Sequence, residues 1–149
     1  MKMAFDIDGV AVNQDLVALR EIDLCSDPEK RKALNYCYYI NRLNQINLYD
    51  YLSAGDELYL ITGRNLEFAA ITKKWQEKYY PNAHLIMTNH SMPTPDTNMQ
   101  DWLVELAKVK AKVLNNLGID VYFEDTPEVV EVLRNLCKNT KVIQYGSRF

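Results

Sequence analysis

The sequence is poor in the residues that mark unusual classes of protein. Five glycines and five prolines among 149 residues exclude a collagen-like or low-complexity chain. The three cysteines (Cys25, Cys37 and Cys137) are odd in number and irregularly spaced, so they do not indicate a disulfide framework. We expect reduced thiols, as in a cytoplasmic protein.

Basic residues and long apolar runs are lacking too. Seventeen Lys and Arg stand against twenty Asp and Glu, giving a net charge of −3. Long nucleic acids usually require a basic surface, so we do not expect one as a partner. No apolar run approaches the length of about 18 residues that crosses a membrane. The acidic N-terminal segment is no signal peptide, and the oligomeric state is left open.

What the chain does contain is the alternation of strands and helices typical of an α/β domain. Five nearly continuous apolar runs predict strands covered on both faces, at residues 2–7, 57–62, 84–88, 120–124 and 141–145. Helical periodicity follows at residues 66–80, 103–117 and 127–136. This pattern predicts one α/β domain over residues 1–149, a Rossmann-like three-layer sandwich with a mostly parallel five-stranded sheet.

The connection between the first two predicted strands is unusually long. It runs over residues 10–54, about 45 residues where a crossover needs about a dozen. A capping box beginning at Ser26, with Pro28 in the first turn, predicts a helix within it. We call residues 10–54 the insertion, and expect a small helical element that is too short to be a second domain.

Acidic and hydroxyl side chains follow three of the predicted strands. The first strand ends in Asp6-Ile7-Asp8-Gly9, the second in Thr62-Gly63-Arg64 and the fourth in Glu124-Asp125. Ligands of parallel α/β sheets bind at the carboxyl ends of the strands, so these groups should converge. Carboxylates this close together favour a cation between them, and oxygen ligands of this kind suit Mg²⁺.

A lysine lies in the apolar face of the helix predicted at residues 103–117. Lys110 shares that face with Leu106 and Leu114, whereas Lys108 and Lys112 project to the opposite side. A buried ammonium group is costly unless it is paired. We therefore expect Lys110 to pair with the acidic edge of the sheet.

These segments, in this order, resemble the four motifs of the haloacid dehalogenase (HAD) superfamily of aspartyl-phosphate phosphatases. The matching residues are 5–10 (FDIDGV), 61–64 (ITGR), 110–114 (KAKVL) and 122–125 (YFED). The resemblance covers nearly the whole chain. It implies the strand order 3-2-1-4-5, with the insertion as a small helical cap over the site.

The resemblance also implies a role for each site residue. Asp6 would be the nucleophile and Asp8 the general acid and base, while Thr62 and Lys110 hold the phosphoryl oxygens. Backbone around Ile7 and Gly9, together with Gly63 and Arg64, would bind substrate. Asp6, the Asp8 carbonyl and Asp125 would bind Mg²⁺. Glu124 replaces the commoner Asp, and would act on the metal directly or through water.

The short cap and the Thr-Gly-Arg-Asn segment at residues 62–65 are similar to 5′-nucleotidases, including 5′(3′)-deoxyribonucleotidases. The favoured function is therefore a Mg²⁺-dependent phosphomonoesterase acting on a nucleoside or deoxynucleoside monophosphate. One alternative is a 3′-phosphatase of nucleic-acid ends. Another is a non-enzymatic module, either receiver-like or simply phosphate-binding.

Aromatic and histidine side chains give a less specific signal. Tyr36, Tyr38 and Tyr39 of the insertion either pack internally or stack on a base of the substrate. Trp75 and Trp102 are expected in the core. His90 lies in a loop predicted at residues 89–98, where a substrate contact remains an alternative.

Overall fold

The structure is a computed structural model that describes residues 1–146. Five parallel strands form one sheet in the order β3-β2-β1-β4-β5, which confirms the predicted fold class and strand order. The strands are β1 (Lys2–Phe5), β2 (Glu57–Thr62), β3 (His84–Met87), β4 (Val121–Glu124) and β5 (Lys141–Gln144). The first strand is shorter than predicted, so Asp6 is the first residue after it.

Five α-helices connect and cover the strands. They are α1 (Leu16–Leu24), α2 (Pro28–Ile40), α3 (Ala69–Tyr79), α4 (Met99–Leu117) and α5 (Pro127–Leu136), with short 3-10 helices at Leu48–Tyr51 and Leu66–Phe68. The fourth helix starts four residues before the predicted one. None of the helices within residues 1–146 has both the length and the apolar character needed to cross a bilayer.

The sheet is covered on both faces, which explains the continuous apolar runs. Alternate residues of β2 point to opposite sides, since Tyr59 and Ile61 pack with α4 and α5. Leu58 and Leu60 pack on the other face with Leu48 of the insertion. Both faces therefore carry a hydrophobic core, and the site is built at one edge between them.

Two helix starts depend on local side-chain chemistry. The predicted cap at Ser26 is wrong by one residue, because the Asp27 carboxylate accepts the Glu29 and Lys30 N–H groups. Thr126 does occupy the N-cap position of α5, but no side-chain cap bond forms. Its hydroxyl instead donates to Asp125 at 3.3 Å. This ties the helix start to the candidate metal ligands.

The two ends of the insertion are joined beside Asp8. Val12 and Asn44 form an antiparallel bridge, the Asn13 N–H donates to the Leu43 carbonyl at 2.8 Å, and the Gln45 N–H donates to the Ala11 carbonyl at 3.0 Å. We call this short ladder the hinge pair. In the sequence, α1 and α2 both lie between the two segments that the hinge pair joins.

Candidate active site

Three carboxylates meet where β1 and β4 end. Carboxylate oxygens of Asp6, Glu124 and Asp125 all lie within 4.8 Å of one another, and all three residues are buried. They are adjacent because β1 pairs directly with β4, with Phe5 opposite Phe123. The convergence expected from the strand ends is therefore present in the structure.

Lys110 projects from α4 into this cluster. Its Nζ donates to Glu124 Oε2 at 2.7 Å and lies 3.4 Å from Asp6 Oδ1. The same Glu124 oxygen accepts the Tyr122 hydroxyl at 2.9 Å. Lys110 is only 2% exposed, whereas Lys108 and Lys112 are exposed on the other side of the helix. The inward orientation expected of Lys110 is thus what the structure shows.

The electrostatics of the cluster differ from one carboxyl to the next. Burial and the neighbouring Glu124 charge raise the pKa of Asp6 well above its ordinary value. Burial opposes ionisation of Glu124 as well, but the charge of Lys110 and the hydrogen bonds to the carboxylate together outweigh it and lower the pKa of Glu124 to about 2. Burial likewise opposes the charge on Lys110, yet Asp6 and Glu124 raise its pKa. Lys110 and Glu124 therefore form the ion pair, and ionisation of Asp6 is disfavoured without a further cation nearby.

This donor set fits a divalent cation. With all three carboxylates ionised, the single ammonium of Lys110 would leave a net charge of −2 in a buried space. Like charges at this distance are unfavourable without a counter-ion. Carboxylate oxygens are the ligands that Mg²⁺ prefers, and one divalent ion would balance the charge.

Asp8 lies beside this cluster, and its carboxylate binds Arg64. The guanidinium donates through Nε to Asp8 Oδ2 at 2.9 Å and through Nη2 to Asp8 Oδ1 at 2.8 Å. Its third nitrogen, Nη1, donates to Thr72 Oγ1 at 3.1 Å. Arg64 is 5% exposed, and Asp8 raises its pKa against the effect of burial. A bidentate pair of this kind fixes the orientation of the carboxylate.

Direct substrate binding by Arg64 stays a prediction, because the hydrogen bonds of its side chain in the structure are to Asp8 and Thr72. The Asp8–Arg64 contact is a feature that sequence reasoning missed. Both residues were selected as site residues, but nothing in their spacing of 56 positions indicates that they pair.

The loop after β1 is tightly bonded to itself. The Ile7 N–H donates to Asp6 Oδ1 at 2.9 Å, and the Gly9 N–H donates to the Val12 carbonyl at 2.9 Å. Gly9 has a φ of +86°, and a Cβ there would overlap the Asp125 carboxylate. Glycine at this position therefore permits both the left-handed backbone and the close approach of Asp125.

Replacing Gly9 with alanine should abolish the stabilisation of the protein by Mg²⁺. The Gly9→Ala variant meets both the backbone strain, about 1–3 kcal/mol, and the displaced Asp125 carboxylate. Gly55 has a similar φ of +89° with nothing within 4 Å of its Cβ position, so Gly55→Ala carries the strain alone. We expect both variants to melt at lower temperature, with loss of the Mg²⁺-induced rise in melting temperature confined to Gly9→Ala. An equal Mg²⁺ response in the two would contradict this role of Gly9.

Thr62 is the last residue of β2, and Gly63 follows it at the same edge. Thr62 is fully buried, and its Oγ1 accepts the Arg64 N–H at 3.1 Å. A Cβ at Gly63 would press against the side chain of Leu106 from α4. The threonine and the glycine thus bring the end of β2 close to the helix that carries Lys110.

A cavity of about 350 Å³ opens above these residues. Its floor contains Asp6, Asp8, Thr62, Lys110 and Asp125. Its walls come from the insertion and from the start of α4 with the loop before it, and their apolar members include Leu16, Leu19, Met92, Pro93, Trp102 and Leu103. The structure therefore joins the acidic cluster to an enclosed and largely apolar chamber.

Several wall residues differ from the sequence expectation. Trp102 lines the cavity instead of the core, and its Nε1 donates to the Ser91 carbonyl at 2.7 Å. His90 packs against Trp102 with 4.9 Å between ring centroids and is not among the lining residues. Tyr38 and Tyr39 line the cavity, whereas Tyr36 is 46% exposed on the outer face of α2.

No family model matches this sequence, and no curated protein matches it. Solved structures do share its fold. The chain is similar to one chain of the Pnkp1/Rnl/Hen1 complex, with 15% identity and a TM-score of 0.60, over 98% of this chain and 46% of that one. A structure of the Pnkp1/Rnl/Hen1 RNA repair complex gives 17% identity and a TM-score of 0.59, over 99% and 43%.

A third solved structure is similar along most of its own length. This HAD-superfamily hydrolase of subfamily IA, variant 1, from Geobacter sulfurreducens PCA has 13% identity and a TM-score of 0.57, over 99% of this chain and 90% of that chain. The present chain spans less than half of the two chains from the Pnkp1 complex. At these identities the likeness establishes the fold, so function has to be argued from the site.

Proposed function

We propose that the protein is a Mg²⁺-dependent phosphomonoesterase of the HAD type, acting through an aspartyl phosphate on a small phosphate ester. One observation carries this proposal. A buried cluster of three carboxylates, paired with one lysine, lies on the floor of a cavity next to a separately held aspartate. Likeness of fold to a HAD-superfamily hydrolase supports it.

In the first step, Asp6 attacks phosphorus. A carboxylate oxygen of Asp6 forms the new P–O bond while the bond to the leaving oxygen breaks, and Asp8 gives its proton to that oxygen. Burial already disfavours the charge on Asp6, so charge moving from its carboxylate to the phosphoryl group relieves the cluster. Lys110 and the Thr62 hydroxyl hold the phosphoryl oxygens.

In the second step, water hydrolyses the aspartyl phosphate. Asp8 takes a proton from the attacking water, a P–O bond forms to that water, and the bond to the Asp6 oxygen breaks to release phosphate. The same Asp8 therefore serves as acid and then as base. Arg64, which bonds both Asp8 oxygens in the structure, would keep the Asp8 side chain at one position in both steps, giving up one of the two bonds while Asp8 carries the proton.

Asp6 and Asp125 would hold Mg²⁺ with the Asp8 carbonyl. When bound, Mg²⁺ supplies charge stabilisation for the transferring phosphoryl group. Glu124 accepts hydrogen bonds at both oxygens, from Lys110 and Tyr122 at Oε2 and from the Thr126 N–H at Oε1 at 3.4 Å. We therefore assign Glu124 to positioning Lys110, with its link to the metal through water.

The favoured substrate is a nucleoside or deoxynucleoside monophosphate. A cavity of about 350 Å³ is within the range that encloses small ligands. Its walls offer the aromatic rings of Tyr38 and Trp102, on which a base can pack. The size of the cavity also favours a small ester.

We propose a cytoplasmic location, because Cys25, Cys37 and Cys137 are free thiols.

A panel of phosphate esters with Mg²⁺ or EDTA tests the proposed function. The panel contains 4-nitrophenyl phosphate, nucleoside 5′- and 3′-monophosphates and sugar phosphates. We expect Mg²⁺-dependent release of phosphate, fastest from a nucleotide, and no release with EDTA. If no ester shows Mg²⁺-dependent turnover, the proposal that the protein is a phosphatase is wrong. If only sugar phosphates are hydrolysed, only the proposal of a nucleotide substrate is wrong.

Binding of Mg²⁺ can be measured without turnover. An ion at about 100 times its dissociation constant stabilises the fold by about 2.7 kcal/mol, a rise of roughly 5–10 °C in melting temperature for a chain of this size. The rise should shrink strongly in Asp125→Asn, which removes a ligand, and persist in Asp120→Asn, whose carboxylate accepts the Lys2 N–H at 2.8 Å away from the cluster. Equal rises in both variants would contradict the metal site.

A 3′-phosphatase of nucleic-acid ends is the second candidate, because the fold resembles a chain of an RNA repair complex. The discriminating observation is salt dependence. Hydrolysis of a 3′-phosphorylated oligonucleotide should weaken steeply with added salt if the strand is bound along its backbone, and a mononucleotide should not show this. A receiver-like module is less compatible, since receivers have the strand order 2-1-3-4-5.

A further inference from the structure

The ring of Tyr39, in α2, lies on the arginine that binds Asp8. The Arg64 Cζ is 4.2 Å from the centroid of the Tyr39 ring. The ring also meets Phe68 edge to face, with 5.0 Å between centroids and 68° between planes. Phe68 is 2% exposed, so the ring rests on a buried part of the core. This contact links the insertion directly to the catalytic edge.

Arg64 is constrained in two directions at once. Hydrogen bonds to Asp8 and Thr72 fix the guanidinium within its own plane. Thr72 is itself anchored, because its hydroxyl donates to the Phe68 carbonyl at 2.8 Å. Movement out of the plane is opposed by the Tyr39 ring, through a cation–π contact strengthened by burial.

The other tyrosines of α2 do different work. Tyr38 stacks on Arg42 at 3.8 Å and its hydroxyl accepts the Asp15 N–H at 3.0 Å, contacts that stay within the insertion. Tyr36 is exposed. Of the three, Tyr39 has the contact that reaches Arg64 of the core.

Resting on the proposed function, we infer that Tyr39 is a positioning residue for the reaction. The Tyr39 ring holds Arg64 in place, and Arg64 holds the Asp8 side chain in place. From that position Asp8, when protonated, gives its proton to the leaving oxygen. The packing of α2 against the core therefore also sets the orientation of Asp8, the general acid.

The experiment compares two esters of similar size that differ in their need for a proton. The leaving group of benzyl phosphate is an alkoxide, which needs a proton from Asp8. The leaving group of 4-nitrophenyl phosphate is 4-nitrophenolate, a stable anion that does not need one. Tyr39→Leu removes the ring, Tyr39→Phe keeps it, and Tyr36→Leu is the matched control on the outer face of α2. Neither ester is a nucleotide, so the result does not depend on which metabolite is the substrate.

Tyr39→Leu should lower kcat/KM for benzyl phosphate about tenfold, a part of the full effect of general acid catalysis. We expect its kcat/KM for 4-nitrophenyl phosphate to change less than about twofold. With 4-nitrophenyl phosphate, Tyr39→Leu should release a burst of 4-nitrophenol before steady turnover. The reason is that hydrolysis of the aspartyl phosphate also uses Asp8 and therefore becomes the slow step. Tyr39→Phe and Tyr36→Leu should behave as the wild type. Melting temperatures with and without Mg²⁺ check that each variant is folded.

An equal loss on the two esters, or the same loss in Tyr39→Phe as in Tyr39→Leu, would overturn the inference while leaving the phosphatase intact. If the wild type with Mg²⁺ hydrolyses neither ester nor any nucleotide, the proposed function fails and the inference fails with it.

Discussion

Asp6→Asn is expected to abolish turnover, lowering kcat by about 10⁴-fold or more, since loss of a catalytic nucleophile has effects of this order. The amide is a far weaker nucleophile than the carboxylate it replaces. In the structure Asp6 lies against Lys110 and within the carboxylate cluster, directly after β1. The measurement is hydrolysis of 4-nitrophenyl phosphate with Mg²⁺, with intact-protein mass spectrometry to detect the phosphorylated form of the wild type.

A folding defect can be separated from this loss. The pKa of Asp6 is raised by burial and by Glu124, so removing its charge relieves repulsion in the metal-free protein. We expect Asp6→Asn to melt at the same temperature as the wild type in EDTA, or higher. Asp96→Asn, on an exposed turn, is the matched control and should keep full activity. Retained turnover in Asp6→Asn would refute covalent catalysis through Asp6.

Lys110→Ala should damage both stability and activity. Breaking a buried ion pair leaves an uncompensated charge and costs about 3–5 kcal/mol. Here the carboxylate left behind is Glu124, which loses its bond of 2.7 Å and stands beside Asp6 and Asp125. Loss of a cation at the phosphoryl group should lower kcat by about 10²–10³-fold. Urea unfolding and steady-state kinetics measure the two effects.

Lys112→Ala is the matched control, two residues along the same helix and exposed to solvent. Its free energy of unfolding should change by less than about 0.5 kcal/mol, and its activity should be unchanged. Because removing Lys110 raises the net charge of the cluster from −2 to −3, Mg²⁺ should raise the melting temperature of Lys110→Ala more than that of the wild type. Similar losses in the two lysine variants would show that Lys110 is not the lysine of the site.

The sequence predicts the scaffold well because its signals are local. Strands covered on both faces are visible as apolar runs, and the topology then places Asp6 and Asp125 at one edge. The inward orientation of Lys110 follows from helical periodicity over a single helix. Local competition is harder to resolve, and the choice of Asp27 over Ser26 as the cap of α2 is an example.

Contacts between distant segments were not predictable in the same way. Arg64 is expected near substrate from its motif, but its partner depends on how the loop after β1 meets the end of β2. Trp102 is expected in the core, but α4 begins at Met99 and the Trp102 ring lines the cavity, with its Nε1 bonded to the Ser91 carbonyl. The pairing of Tyr39 with Arg64 depends on where the whole insertion lies, which no short-range pattern encodes.

The hinge pair has a consequence for how such a protein can change over time. Because the chain leaves and returns through adjacent strands at Val12 and Asn44, the helical hairpin between them can be exchanged as a cassette. The ends to be spliced are already side by side, so a replacement of different length needs no change in the sheet. Leaving-group preference can then diverge while Asp6 and its neighbours stay fixed. Any transplanted hairpin must, however, bring its own aromatic ring to cover Arg64.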